Sequence, residues 1–247
     1  MISSDRQHTL AGEASLEGIG LHTGEHAQLR ISAGEPNSGY VFVRTDLEGS
    51  PEIQANVSNV SETRRGTTLQ SGEARVHTTE HVLAALYASG IDNARLELNG
   101  PEVPILDGSA LPFVEAITQA GSTEQQAPRR FFRVRKNISR RGDDGVEMLI
   151  VPVEGDELKV TVMVDYNSPV LGTQHARLED LSSFKDEFAG CRTFVFLKEV
   201  ASLAEQGLIK GGDIDNAVVL AERAYDSSEL QEIAQALGRK ELSGSAE

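Results

Sequence analysis

The sequence predicts an α+β protein made of two copies of a similar domain, each a mixed sheet with helices on one face. Three observations lead to this prediction. Short segments alternate apolar and polar residues, as half-buried strands do. Two other segments carry apolar residues at helical spacing. A short sequence also recurs about half a chain later, which indicates an internal duplication.

The duplication is most visible in the sequence Ile-Asp-Asn-Ala, which occupies 91–94 and again 214–217. A turn containing glycine precedes each copy, and an apolar run follows it. Two upstream features recur in the same order at similar spacing. In the first half an apolar segment ends at Asp46 and a segment with Arg and Thr follows at 65–68; in the second half the corresponding features are Asp165 and 191–193. We therefore expect Ile91 and Ile214 to occupy equivalent buried positions.

The strands and helices follow from local patterns. The apolar segment 40–43 predicts a strand, and so does its counterpart in the second half, where the alternating apolar residues are Leu158, Val160, Val162 and Val164. A helix at about 79–89 is predicted because apolar residues recur at helical spacing after Thr78 and Thr79, which can cap its start.

A second helix is predicted after Ser109, with Pro112 in its first turn, where proline is tolerated. Its inward-facing residues are Phe113, Val114 and Ile117. Beyond it, a polar stretch ending in proline marks a domain boundary. The sequence thus predicts a first domain at 1–121, a linker at 122–129 and a second domain at 130–247.

Composition excludes several functional classes. The 247 residues include 23 Lys and Arg against 38 Asp and Glu, a net charge of −15, which argues against general nucleic-acid binding. A single Cys excludes a disulfide framework and a cysteine-rich metal site. Neither a long apolar run nor a signal peptide is present, so we expect a soluble cytoplasmic protein without stable membrane insertion.

The six histidines are the scarcest candidates for chemistry. His22 and His26 are four residues apart, but the glycines around them argue against a helix. His77 and His81 share that spacing, yet two imidazoles without a third ligand nearby are a weak metal signal. Glu80 beside His81 has two interpretations: a carboxylate paired with an imidazole in a site, or a favourable charge at a helix start.

Several segments together resemble one family in order and spacing, from about residue 9 to about 220. That family is the zinc-dependent UDP-3-O-acyl-N-acetylglucosamine deacetylase of lipid A synthesis. Segments 165–172 and 210–213 are most similar to the form fused to a 3-hydroxyacyl-carrier-protein dehydratase. The segments that carry the resemblance are Gly18-Ile19-Gly20-Leu21-His22-Thr23-Gly24, Thr79-Glu80-His81, Gly90-Ile91-Asp92-Asn93, Gly100-Pro101-Glu102-Val103-Pro104-Ile105-Leu106-Asp107-Gly108-Ser109, Arg192-Thr193-Phe194 and Lys210-Gly211-Gly212.

The resemblance implies a site between the two domains that acts on a UDP-sugar carrying an acyl chain. It implies that His81 is a zinc ligand and that Glu80 is the general base for zinc-bound water, whose pKa the metal lowers to roughly 7. Thr193 matches the threonine that stabilises the oxyanion, and Phe194 matches the aromatic beside the sugar. The segment lining the acyl-chain passage would include Leu197, Val200, Ile209 and Ile214. For each of these an ordinary core position is an equal alternative.

Positive charge near the substrate is expected from Lys210 and Arg192, although solvated surface positions explain both equally well. The family's other two zinc ligands are a His and an Asp in a His-Lys-x-x-Asp-x-x-Gly-Asp pattern, and a later His is the general acid. Here no His follows His175, and 221–247 lacks that pattern. The resemblance therefore implies a truncated second domain, an incomplete zinc site and an inactive chain.

Three interpretations remain open at this point. In the first and favoured one, the chain is the amino-terminal portion of the deacetylase, with the fused dehydratase as a further partner. In the second, it is a noncatalytic homologue that binds a nucleotide sugar or a protein. In the third, it is another metal hydrolase that uses His77, His81 and a carboxylate.

Overall fold

The computed structural model describes residues 5–155 and 158–236, in which strands and helices intermix as the α+β prediction requires. Residues 1–4 and 237–247 of the two predicted domains lie outside the described part. The helices are α1 (Glu80–Ala88), α2 (Leu111–Ala120), α3 (Phe184–Glu187), α4 (Leu197–Glu205) and α5 (Ser227–Ala236). The strands are β1 (Arg6–Leu10), β2 (Ala14–Ile19), β3 (His26–Ala33), β4 (Tyr40–Arg44), β5 (Glu52–Gln54), β6 (Val60–Glu62), β7 (Thr68–Ser71), β8 (Ala74–Val76), β9 (Ala94–Leu98), β10 (Ser122–Pro128), β11 (Ile138–Arg141), β12 (Glu147–Ile150), β13 (Val160–Asp165), β14 (Thr173–Leu178), β15 (Phe194–Phe196) and β16 (Val218–Leu220).

The first region, residues 6–128, is organised around a five-stranded sheet with the order β2-β3-β9-β4-β5. Strands β4 and β9 run parallel, and the other neighbours are antiparallel. Along β3 the side chains of Ala27, Leu29 and Ile31 are buried while their neighbours face away, as period-two alternation predicts. Strands β6, β7 and β8 form a separate three-stranded sheet.

One apolar core fills the first region. Helix α1 packs against α2, and α2 packs against β2. Phe42 from β4, Leu86 from α1 and Phe113 from α2 are all fully buried in this core. Both predicted helices are confirmed. Helix α1 falls within the predicted 79–89, and α2 begins after Ser109 with its proline in the first turn.

The predicted linker at 122–129 is instead largely a strand. Its residues 122–128 form β10, which pairs antiparallel with β1 at the beginning of the chain. Arg129 then forms an ion pair with Asp92, with 2.9 Å between the guanidinium and carboxylate. These contacts fasten the end of the first region to its start.

The second region, residues 138–236, has a different organisation. Its first four strands form two hairpins, β11 with β12 and β13 with β14, and almost every side chain on them is exposed. Strands β15 and β16 pair in parallel. Helices α4 and α5 bury a small cluster around Leu197, Val200 and Ile233. Among the described residues no helix has the length and apolar character needed to cross a bilayer.

The expected equivalence of the duplicated isoleucines is wrong. Ile91 is 2% exposed, whereas Ile214 is 49% exposed and lies in a turn. Both Ile-Asp-Asn-Ala segments nevertheless lead into a strand with a parallel neighbour, β9 beside β4 and β16 beside β15. Ile91 belongs to the large first core, whereas Ile214 belongs to neither of the apolar clusters found among the described residues.

Candidate functional site

The start of α1 carries the two residues singled out by the sequence, Glu80 and His81. Thr79 occupies the N-cap position, but its hydroxyl donates to the Thr67 carbonyl instead of capping the helix. The Thr67 amide in turn donates to Glu80 Oε2 at 2.8 Å. The loop before β7 therefore fixes one carboxylate oxygen of Glu80, in a first turn that also favours negative charge.

Gly66 lies next to both Glu80 and His22, a histidine for which local spacing predicts no role. A Cβ built on Gly66 would lie 3.3 Å from Glu80 Oε1 and 3.7 Å from His22 Nε2. His22 Nε2 lies 3.2 Å from the Arg65 carbonyl oxygen, while His22 Nδ1 is buried without a hydrogen-bond partner in the described structure. The four-residue spacing to His26 gave no hint of this position.

The His81 imidazole is biased toward its neutral form. Burial lowers the pKa of His81, and the nearby carboxylates of Glu80 and Asp107 only partly oppose this. A neutral imidazole is the form that binds metal ions. The environment of His81 is thus compatible with the ligand role that the resemblance implies.

Thr193 makes a close contact with the first region. Its backbone amide donates to the Gly108 carbonyl at 2.7 Å. Gly108 has a φ of +86°, and a Cβ there would overlap the carbonyl of Asn216 in the opposite turn. Only glycine allows both this conformation and this approach.

Arg192 strengthens the same junction. Its guanidinium donates to the backbone carbonyls of Asp107 and Ile214, each at 2.7 Å. This charge therefore joins the two regions through peptide groups, and its expected contribution to substrate binding stays a prediction.

Lys210 lies at a second junction, opposite the glycine-rich loop of the first region. The amide of Lys210 is 3.4 Å from the His22 carbonyl, and the amide of Gly211 donates to the Leu21 carbonyl at 3.1 Å. A Cβ on Gly211 would overlap the Gly20 carbonyl. The backbone of Lys210 is thus held beside His22, while its side chain is exposed.

The remaining predicted substrate residues occupy different environments. Phe194 is partly exposed and packs edge-on against Tyr166, with ring centroids 5.4 Å apart. Leu197 and Val200 are buried in the second region's small core. Ile209 is half-buried with a φ of +53°, and Ile214 is exposed.

The described residues contain no complete set of metal ligands. Across 5–155 and 158–236 there is no group of three or more His, Cys, Asp or Glu side chains placed to hold a metal ion. His77 Nδ1 is 2.9 Å from the Thr68 hydroxyl. The described residues therefore do not form a complete zinc site, and no metal cluster within them contains His77 and His81 together.

Comparison with known proteins agrees with the resemblance read from the sequence. The bifunctional enzyme LpxC/FabZ of Chlorobaculum tepidum is 48% identical over 234 residues, which cover 94% of this chain and 50% of that protein. Its counterpart from Bacteroides thetaiotaomicron is 43% identical with the same coverage. The UDP-3-O-acyl-N-acetylglucosamine deacetylase of Thioalkalivibrio sulfidiphilus is 42% identical, over 87% of this chain and 71% of its own length.

The chain thus spans about half the length of the bifunctional relatives it matches. The family model described as UDP-3-O-acyl N-acetylglycosamine deacetylase matches residues 7–234, nearly all of the described structure. The chain belongs to the UDP-3-O-acyl N-acetylglycosamine deacetylase family.

Proposed function

We propose that this chain forms the amino-terminal part of an enzyme that hydrolyses the acetamide of UDP-3-O-acyl-N-acetylglucosamine in lipid A synthesis. The observation that carries the proposal is the arrangement at the start of α1. There Glu80 lies next to Gly66, as does His22, and the buried His81 follows Glu80 in α1 with the Asp107 carboxylate nearby. The Thr193 amide donates to the carbonyl of Gly108, the residue after Asp107. Family membership supports the same reaction.

Glu80 is the general base in this proposal. Its Oε2 is fixed by the Thr67 amide, and its Oε1 faces the space above Gly66. A carboxylate held at one oxygen keeps the other aimed at a water molecule, from which it takes the proton as the water attacks. The hydroxyl of Thr193 donates to the oxyanion that develops on the acetamide carbonyl.

His81 is the proposed contribution of this chain to zinc binding. Its buried, neutral imidazole suits a metal ligand. We propose that the other ligands come from the half of the bifunctional relatives' length that this chain does not span. Zinc would polarise the reacting groups.

The substrate contacts come from the second region. Phe194, at the exposed end of β15, packs beside the sugar, and Lys210 offers positive charge to the anionic substrate. The acyl chain runs along the segment that includes Leu197, Val200, Ile209 and Ile214. The names of the bifunctional relatives support a fused dehydratase as the further partner.

Acetate release from the UDP-sugar by the full-length protein tests this proposal. Glu80→Gln is expected to lower turnover by about 10²–10⁴-fold with little change in substrate binding, because the base acts in the transition state. Glu115→Gln, on the exposed face of α2, is the matched control and should retain parental turnover. Tight binding of the UDP-sugar without acetate release would favour the noncatalytic alternative.

A further inference from the structure

Glu102 is a buried carboxylate for which the proposed reaction has no role. It lies between β9 and α2 and is 1% exposed. An isolated buried carboxylate is strongly unfavourable unless hydrogen bonds replace its lost hydration. The hydrogen-bond donors around Glu102 therefore show which segments this buried carboxylate holds together.

Neutral donors from two separate segments surround the Glu102 carboxylate. The Thr78 hydroxyl donates to Oε1 at 2.6 Å, and the Thr23 amide and hydroxyl both donate to Oε2 at 2.8 Å. The His22 amide lies 3.0 and 3.1 Å from the two oxygens. One side chain thus joins the glycine-rich loop to the segment that leads into α1.

The Thr78 end of this link is strained. Thr78 has a φ of +57°, a conformation that is rare for a β-branched residue and unfavourable by about 1–3 kcal/mol. It is 3% exposed and stands two residues before Glu80. Such a conformation persists only when its surroundings impose it, and the hydrogen bond to Glu102 is one such constraint.

The other end of the link holds the backbone of His22. The backbone amide of His22 faces Glu102, while its ring approaches Glu80 across Gly66. A Cβ on Gly20 would meet the Glu102 carboxylate at 2.5 Å, so glycine is required for the loop to reach it. The Glu102 carboxylate therefore accepts hydrogen bonds from His22 and from Thr78, the residue that precedes the N-cap of α1.

We propose that Glu102 is a positioning residue that fixes His22 relative to the start of α1 and so sets the direction in which Glu80 and His81 enter the site. Its consequence for turnover rests on the proposed deacetylase function. Its structural consequence, a rigid link between 22–23 and 78–81, does not depend on that function.

Glu102→Gln is the main variant. The carboxamide keeps one acceptor oxygen but replaces the other with an NH₂ group, which cannot accept the hydrogen bonds donated to that oxygen in the parent. In the full-length protein, amide hydrogen exchange at His22, Thr23 and 79–81 should become at least about tenfold faster. If the proposed function also holds, kcat and zinc retention should fall by about 10–100-fold with KM little changed. Ile53→Val, in the core of the main sheet, is the control for general destabilisation.

Thr78→Val provides a second variant, since it removes only the 2.6 Å hydrogen bond and keeps the shape of the side chain. It carries the test if Glu102→Gln does not fold, and it should accelerate exchange at 79–81 more than at His22. Thr78→Gly removes the strain and the hydrogen bond together, because glycine adopts a φ of +57° without penalty and has no hydroxyl to donate to Glu102. In that background Glu102→Gln should have a smaller effect on 79–81 than in the parent.

Unchanged exchange at both segments in Glu102→Gln would overturn the proposal. So would losses of exchange protection and kcat no greater than those of Ile53→Val, or an undiminished effect at 79–81 in the Thr78→Gly background. If the parent releases no acetate, the proposed function fails, while the exchange measurements still decide the role of Glu102.

Discussion

The two regions use similar strand patterns with different results. In β3, Ile31 is fully buried, whereas in β13, Val162 is 50% exposed although apolar residues also occupy every second position of that strand. Strand β3 has neighbours on both edges and belongs to the sheet around which the first core is built, while among the described residues β13 pairs with β14 alone. Alternation therefore predicts a strand, but burial requires a second layer.

This difference carries over to the proposed site. The first region supplies Glu80, His81 and the link through Glu102 from segments that its own core supports. The second region supplies Thr193 and Lys210 through backbone contacts at two junctions, at Gly108 and at His22. One further contact comes from Phe184 and Ala189, which pack against the first core. The second region thus packs against a first region that has a large core of its own.

The largest expected effect concerns the core of the first region. Phe42→Ala removes a fully buried ring and should lower the free energy of unfolding by about 3–5 kcal/mol. Val162→Ala is a smaller truncation at a half-exposed position of the second region and should change it by no more than about 0.5 kcal/mol. Chemical denaturation of the 247-residue chain, followed by circular dichroism, measures both. A similar loss for the two variants would mean that β13 is buried in solution, and it would contradict the difference in burial between the two regions.

The junction at Gly108 gives the next largest effect. Gly108→Ala forces an alanine to a φ of +86° and against the Asn216 carbonyl, so it should destabilise the chain by about 1–3 kcal/mol and speed exchange of the Thr193 amide. Gly145→Ala is the control, because Gly145 has a φ of +83° with nothing within 4 Å of a new Cβ. It should carry the backbone penalty but leave Thr193 unaffected. Equal exchange at Thr193 in both variants would show that the Gly108 junction does not hold the second region.

The smallest effect is a pH dependence centred on the first region. Burial lowers the pKa of His77 below its usual 6.5, so the folded protein disfavours the charged imidazole. Above pH 6.5 the folded and unfolded states are both neutral at this residue and its contribution is fully present. As the pH falls below 6.5, the unfolded chain binds the proton first and stability decreases until the folded pKa is passed.

His77→Gln should therefore flatten the loss of stability between pH 7 and 5, leaving the part due to the similarly buried His81. Urea midpoints of parent and variant at several pH values measure the difference. An identical pH dependence in the two proteins would mean that His77 is not protected from protonation in the folded state.

Local patterns predicted the two helices of the first region. Helix α1 begins at Glu80 because its apolar residues repeat at helical spacing, a property fixed within a few turns. The strand β10 was missed because its polar residues pair with β1 through backbone hydrogen bonds, which require no apolar pattern.

The position of His22 was missed for a different reason. It depends on Glu102, 80 residues further along the chain, and no local spacing contains that contact. The one available signal was the cluster of glycines around His22, two of which prove to be close-approach positions, at Gly20 and Gly24. A glycine cluster beside a histidine indicates tight packing, but it does not name the partner.

The zinc content of the 247-residue chain and of the full-length protein after dialysis tests the central claim most directly. Because the described residues offer His81 but no cluster of three ligands, we expect the 247-residue chain to retain far less than one zinc per chain. The full-length protein should retain one zinc per chain and lose it in His81→Ala. A 247-residue chain that holds one tightly bound zinc and releases acetate from the UDP-sugar would contradict this account.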